Sequence, residues 1–77
     1  MKRYLIILEK TKTGYSSFSP DLPGCASTGR TREEVEANMR EAVQLHIDGL
    51  KQEGYEVPEP STFHEANSDV SYVHVAA

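Results

Sequence analysis

The stretch Arg3-Tyr4-Leu5-Ile6-Ile7-Leu8-Glu9 carries apolar side chains at both parities, Tyr4, Ile6 and Leu8 on one face of an extended chain and Leu5 and Ile7 on the other. A short aromatic and aliphatic run bounded by charge reads as a β-strand, and apolar residues on both faces put it in the middle of a sheet. Both faces then need cover. Working outward, Lys12-Thr13-Gly14 has turn composition, and Tyr15-Ser16-Ser17-Phe18-Ser19 reads as a second strand returning as an antiparallel hairpin. Pro20 stops that strand, Asp21-Leu22-Pro23-Gly24 forms a bend, and Cys25-Ala26-Ser27-Thr28-Gly29 predicts a short third strand of small residues.

Thr31-Arg32-Glu33-Glu34 has the spacing of a capping box, with the Thr31 hydroxyl accepting from the Glu34 N–H and the Glu34 carboxylate accepting from the Thr31 N–H. A helix starts there. Val35, Met39, Ala42, Val43, Ile47 and Leu50 recur at three and four residues and form one stripe toward a core, and Gly54 is the expected stop. Gly49, inside the last turns, predicts a frayed final turn or a close approach of backbone. Val57-Pro58-Glu59-Pro60-Ser61 suits a stiff extended connector, and Val70-Ser71-Tyr72-Val73-His74-Val75-Ala76, rich in β-branched residues, a fourth strand.

The order β-β-β-α-β predicts an α+β fold with sheet order 3-2-1-4 and the helix on one face. The helix is expected to carry the chain back in a right-handed crossover that lays strand four beside strand one. A single helix covers one face of the central strand, so the other calls for a loop, a second copy or a partner.

The 77 residues and 8.6 kDa allow a single domain, residues 1–77. A chain of this size buries roughly 60% of the surface its unfolded form exposes, so help from a partner is expected from the start. No apolar run approaches the ~20 residues of a membrane helix, and the apolar stretch after Met1-Lys2-Arg3 is too short for a signal peptide, which predicts an unprocessed cytoplasmic protein. The formal charge of −4 is unevenly spread. Residues 1–30 carry +3, residues 31–53 carry −3, and residues 54–77 contain acids without Lys or Arg. Such a field repels phosphate and favours a basic partner, so no direct nucleic-acid binding is expected.

Catalytic and metal-binding patterns are missing from the sequence. The single cysteine, Cys25, excludes an internal disulfide and, with no base beside it, reads as a packed small hydrophobe. His46 falls in the helical stripe, His74 alternates with Val73 and Val75, and His64 sits in a polar stretch, none with metal-ligand spacing. A two-metal nuclease needs converging carboxylates, and strand one offers only Glu9. Phosphate-binding glycine motifs are absent, and Tyr4, Tyr15 and Phe18 read better as core aromatics than as a base-stacking platform. Neither a metal nor a cofactor is expected.

The segment from Gly14 to Cys25, with Pro20-Asp21-Leu22-Pro23-Gly24-Cys25 at its end, together with Gly29-Arg30-Thr31-Arg32-Glu33-Glu34-Val35 and Gly54-Tyr55-Glu56-Val57-Pro58-Glu59-Pro60, resembles the HicB-type antitoxins and their short relatives. In order and spacing these pieces cover nearly the whole chain. The resemblance implies a partial ribonuclease-H-like fold lacking the catalytic carboxylates. It also implies a non-enzymatic function: neutralising a small basic HicA-type toxin that cleaves messenger RNA, by binding it and covering its active-site histidine. Many relatives add a C-terminal DNA-binding domain, for which this sequence shows no counterpart. Self-association is expected as well. The partner-binding residues expected on this reading are Tyr15, Asp21, Pro23 and Cys25 around the bend and Glu33 and Glu36 on the helix. The competing readings are a stand-alone homo-oligomer with no toxin partner and a degenerate hydrolase using Cys25 or the loop acids.

Overall fold

The computed structural model describes residues 2–60 and 69–76. Its elements are β1 (Lys2–Lys10), β2 (Tyr15–Phe18), β3 (Ala26–Gly29), α1 (Arg32–Gln52) and β4 (Val70–Val75). The strands form one sheet in the order β3-β2-β1-β4, with every neighbouring pair antiparallel. This is the α+β arrangement read from the sequence.

Tyr4, Ile6 and Leu8 of β1 join Val73 and Val75 of β4 and the helical stripe Val35, Met39, Val43 and Ile47 in one core, closed at one end by Leu22 and Cys25 of the bend. Ala42 packs against its margin, and Leu50 and His46 are half-buried. Buried polar groups in this core are satisfied. The Tyr4 hydroxyl donates to the Pro58 carbonyl at 2.7 Å, and the hydroxyls of Ser17 and Ser19 donate to the β1 carbonyls of Ile7 and Leu5 at 2.8 and 3.0 Å. These bonds stitch β2 and the connector to the central strand while leaving no desolvated donor behind.

The helix starts at Thr31, whose hydroxyl accepts from the Glu34 N–H at 3.0 Å. The return half of the expected capping box differs, because the Glu34 carboxylate accepts from the N–H of Arg30, one residue earlier, at 2.8 Å. The chain enters the helix straight from β3, and that N–H is the one within reach. At the other end the Tyr55 N–H donates to the Leu50 carbonyl and the Gly54 N–H to the Lys51 carbonyl, with Gly54 at φ +78°. That is the paired bonding of a Schellman stop, and the left-handed φ explains the glycine. The final turn is regular, and among the described residues outside the helix's own backbone a Cβ at Gly49 would meet nothing within 4 Å, so neither fraying nor close approach is seen there.

The expected right-handed crossover is not what connects the helix to β4. β3 runs parallel to β1, whereas β4 pairs antiparallel with it, so β3 and β4 run in opposite directions and the parallel-crossover rule has no bearing. The reason is visible in the helix contacts. Arg32 at the helix start reaches Asp69 and Val70 at the beginning of β4, and Gln44 exchanges two hydrogen bonds with Ala76 at its end. The ~18 Å rise of the helix from Arg32 to Gln44 matches the ~20 Å of strand from Val70 to Ala76. Helix and strand therefore run the same way. The connector is fastened at the start of β1, where Glu59 meets Lys2 at 2.6 Å, while Asp69 accepts from the Leu8 N–H near the other end of that strand.

Candidate partner-binding site

The bend is built by local hydrogen bonds: Leu22 N–H to the Ser19 carbonyl, Cys25 N–H to the Leu22 carbonyl, and Ser19 N–H to the Cys25 carbonyl. Leu22 is fully buried and pins the loop to the core, so Pro23 and Gly24 are pushed outward, with Gly24 at φ +85°. Pro23 is exposed and Asp21 half-buried. Burial raises the phenol pKa of Tyr4, with Lys2 opposing it and Glu59 and then Asp21 adding smaller effects in the same direction as burial. Cys25 is 5% exposed, and burial pushes its thiol upward, the direction opposite to an activated nucleophile. Its side chain belongs to the core under the bend and leaves no surface for a partner to touch.

Tyr15 stands at the far end of β2, about 13 Å from Ser19 by strand rise, half-buried against the core with the Lys10 ammonium 5.6 Å from its ring. It forms part of a polar hollow of about 570 Å³ together with Thr11, Thr13, Thr28, Arg30 and Asn38. Gly29 lets the helix come this close, since a Cβ there would stand 2.5 Å from the Val35 nitrogen. Asn38 donates to the Thr28 carbonyl at 2.8 Å, which closes part of the outer edge of β3.

The two helical acids lie elsewhere. Asn38 and Glu34 turn toward β3, whereas Arg32 and Gln44 turn toward β4, which fixes the rotation of the helix. Glu36 approaches Arg32 at 3.4 Å on the β4 side, and Glu33, one residue past Arg32, is exposed near the Gln44 flank. Arg32 also holds Asp69 at 2.7 Å, a hydrogen bond that keeps the guanidinium above its ordinary range. The expected residues thus fall on two flanks: Tyr15, Asp21 and Pro23 border the β2–β3 side, while Glu33 and Glu36 border the β4 side.

Sequence reasoning singled out Leu5 and Ile7 on the second sheet face but not the residues beside them. The strand registers put Leu5 and Ile7 of β1, Phe18 of β2, Ala26 of β3, and Val70 and Tyr72 of β4 on the surface away from the helix. Phe18 is 40% exposed there. The signal was the double parity of β1; which neighbours share its outer face depends on register. Among the described residues no group of three or more His, Cys, Asp or Glu is placed to hold a metal ion, and no helix is long and apolar enough to cross a membrane.

Residues 4–76 match the family model described as HicB_like antitoxin of bacterial toxin-antitoxin system. A UPF0150 protein of Synechocystis is 45% identical over 56 residues, which is 71% of each chain. An uncharacterized 14.9 kDa protein of Haemophilus phage HP1 is 35% identical over 69 residues, covering 90% of this chain and 52% of that protein. Antitoxin HicB 2 of Photorhabdus laumondii is 35% identical over 68 residues, covering 88% of this chain and 49% of the antitoxin. The chain therefore spans about half the length of these last two relatives. Among solved structures, the N-terminal domain of the Burkholderia pseudomallei antitoxin HicB superposes with a TM-score of 0.85 at 28% identity, covering 97% of this chain and 99% of that one. A chain of a HicA3 and HicB3 toxin-antitoxin complex superposes with a TM-score of 0.78 at 27% identity, again covering 97% of this chain and 99% of that one.

Proposed function

Because the chain belongs to the HicB-like antitoxin family, we propose that it neutralises a small basic toxin of the HicA type by protein-protein contact, without catalysis of its own. The observation that carries this reading is the likeness, along nearly the whole chain, to a chain of the HicA3 and HicB3 complex. Charge supports it. The exposed acids Glu33, Glu41, Asp48, Glu53, Glu56 and Glu59 give the helix and connector a negative field that speeds encounter with a basic partner.

The contact residues in this reading are Tyr15, Asp21 and Pro23 on one flank, with Cys25 holding the bend from beneath. Glu33 and Glu36 offer carboxylates to toxin Lys or Arg on the other flank. A partner that uses the first flank spans Tyr15 to the bend within one interface of ordinary size, about 800 Å² a side. The cytoplasm is the compartment in which such a toxin would meet messenger RNA.

The test is co-expression of this chain with the product of the neighbouring small open reading frame, followed by affinity purification and size-exclusion mass. A stable heterocomplex is the expected result. Recovery of each protein alone, at its separate mass, contradicts the proposal.

A further inference from the structure

We propose that a basic toxin, on the reading above that one is this chain's partner, seats on the β3 side of the second half of α1, where Leu45 is the apolar anchor and Gly49 the notch beside it. Leu45 is 64% exposed, more than any other large apolar side chain in a described strand or helix. One exposed leucine needs no explanation by itself. Gly49 supplies the second observation. Glycine inside a helix costs about 1 kcal/mol against alanine, so it calls for a reason. Gly49 has no positive φ, and among the described residues outside the helix's own backbone a Cβ there would meet nothing within 4 Å. Neither backbone conformation nor packing among the described residues requires it. It stands one turn after Leu45 on the same side of the helix, and a missing side chain beside an exposed leucine leaves a step that admits a partner's close approach.

The distribution of charge selects the occupant. Asn38 faces β3 through its bond to the Thr28 carbonyl, and helical spacing places Glu34, Glu41 and Leu45 on that same side. Gln44 faces β4 through its bonds to Ala76, and Ala37, Arg40 and Lys51 follow it by the same spacing. The helix thus separates its charges, with acids on the β3 side and its two exposed cations, Arg40 and Lys51, on the β4 side. Asp48 closes the crest between the two sides, its carboxylate accepting from Gln44 at 3.1 Å. Leu45 therefore stands between Glu41, one turn before it, and Asp48, three residues after it. An apolar anchor rimmed by carboxylates attracts a basic surface and repels an acidic one.

This side of the helix also continues the flank formed by Tyr15, Asp21 and Pro23. α1 runs opposite to β3, and Gly29 at the end of β3 lies against Val35. The ~15 Å of helix from Val35 to Leu45 therefore runs alongside the ~13 Å of chain from Gly29 back to Cys25. Leu45 stands level with the bend and its exposed Pro23, and one partner reaches both.

The test is isothermal titration calorimetry of a purified HicA-type toxin into the full chain, with urea unfolding of each variant to confirm folding. The unaltered chain is expected to bind. Leu45→Arg, at an exposed position, is expected to raise the dissociation constant about 100-fold or more, as loss of a central anchor does. Ala37→Arg adds the same charge at an exposed position on the β4 side and is expected to change the constant by less than about threefold. Gly49→Leu fills the notch and is expected to weaken binding about tenfold while the chain gains stability, a split that a merely structural glycine would not show. Binding of Leu45→Arg or Gly49→Leu as tight as that of the unaltered chain overturns the surface and leaves the toxin reading standing. So does an Ala37→Arg loss equal to that of Leu45→Arg, since charge alone then acts. An unaltered chain that binds no toxin is a separate result, which overturns the toxin reading and this surface with it.

Discussion

Tyr4, Ile6 and Leu8 on one face of β1 and Leu5 and Ile7 on the other are similarly apolar, yet they end in different surroundings. Tyr4 and Ile6 are wholly buried under the helix, while Ile7 on the opposite face stays half-buried beside an exposed Phe18. Leu5 is 3% exposed without any helix above it. The helix-covered face supplies the core of the domain, and the open face leaves Ile7 and Phe18 partly in contact with solvent. A strand that is apolar on both sides announces two buried faces without saying which one the chain itself covers.

The contrast is broken most directly by truncation on either side of β1. Ile6→Ala is expected to cost about 2–5 kcal/mol in urea unfolding, the range for a fully buried large-to-small change, whereas Ile7→Ala should cost less than ~1.5 kcal/mol. Equal costs would erase the distinction between the faces.

Gly29→Ala attacks the covered face from its rim. The added methyl would meet the Val35 backbone at 2.5 Å, forcing the helix start away from β3, and a loss of about 1–3 kcal/mol is expected. Retention of full stability would mean that the helix entry can shift at no cost.

Tyr4→Phe removes the hydrogen bond to Pro58 and should cost about 1 kcal/mol near neutral pH. It also sharpens the pH dependence. Burial, the largest cause, raises the Tyr4 phenol above its ordinary value. Below about pH 10 the phenol is neutral in both folded and unfolded chains and its contribution is intact; above that, the unfolded chain ionises first and stability falls. Cys25 adds a loss of the same sign, starting from its lower ordinary value. The stability of Tyr4→Phe should therefore decline less steeply than that of the unaltered chain above pH 10. Parallel declines in urea midpoint would remove Tyr4 as a source.

Gly49→Ala meets no other described residue within 4 Å beyond the helix's own backbone, and is expected to stabilise by about 0.5–1 kcal/mol through helix propensity. A destabilised variant would show that the outer side of the last helical turns is in contact with something.

Much of this architecture was legible in the sequence because local signals agreed with the global packing. The β1 run, the three- and four-residue spacing of Val35, Met39, Val43 and Ile47, and Thr31 ahead of Glu34 each named its element, and Gly54 named the helix end. The direction of β4 was not legible. It depends on where the chain returns after the helix, and the contacts that accompany that return join residues far apart in sequence, Lys2 with Glu59 and Arg32 with Asp69, separated by 57 and 37 residues. The candidate site was legible only in part. The bend gave away its proline and glycine, and Cys25 is packed as its lack of a neighbouring base suggested, but nothing in the sequence separates Glu36 from Tyr15 until the helix rotation is known. The expectation for His64 lies outside the described residues.

That this chain neutralises a toxin is tested most directly by titrating it, purified, into a purified HicA-type toxin and following cleavage of a messenger RNA. Cleavage is expected to fall to background as the chain reaches molar equivalence with the toxin. Cleavage that continues undiminished at a large excess of folded chain would contradict it.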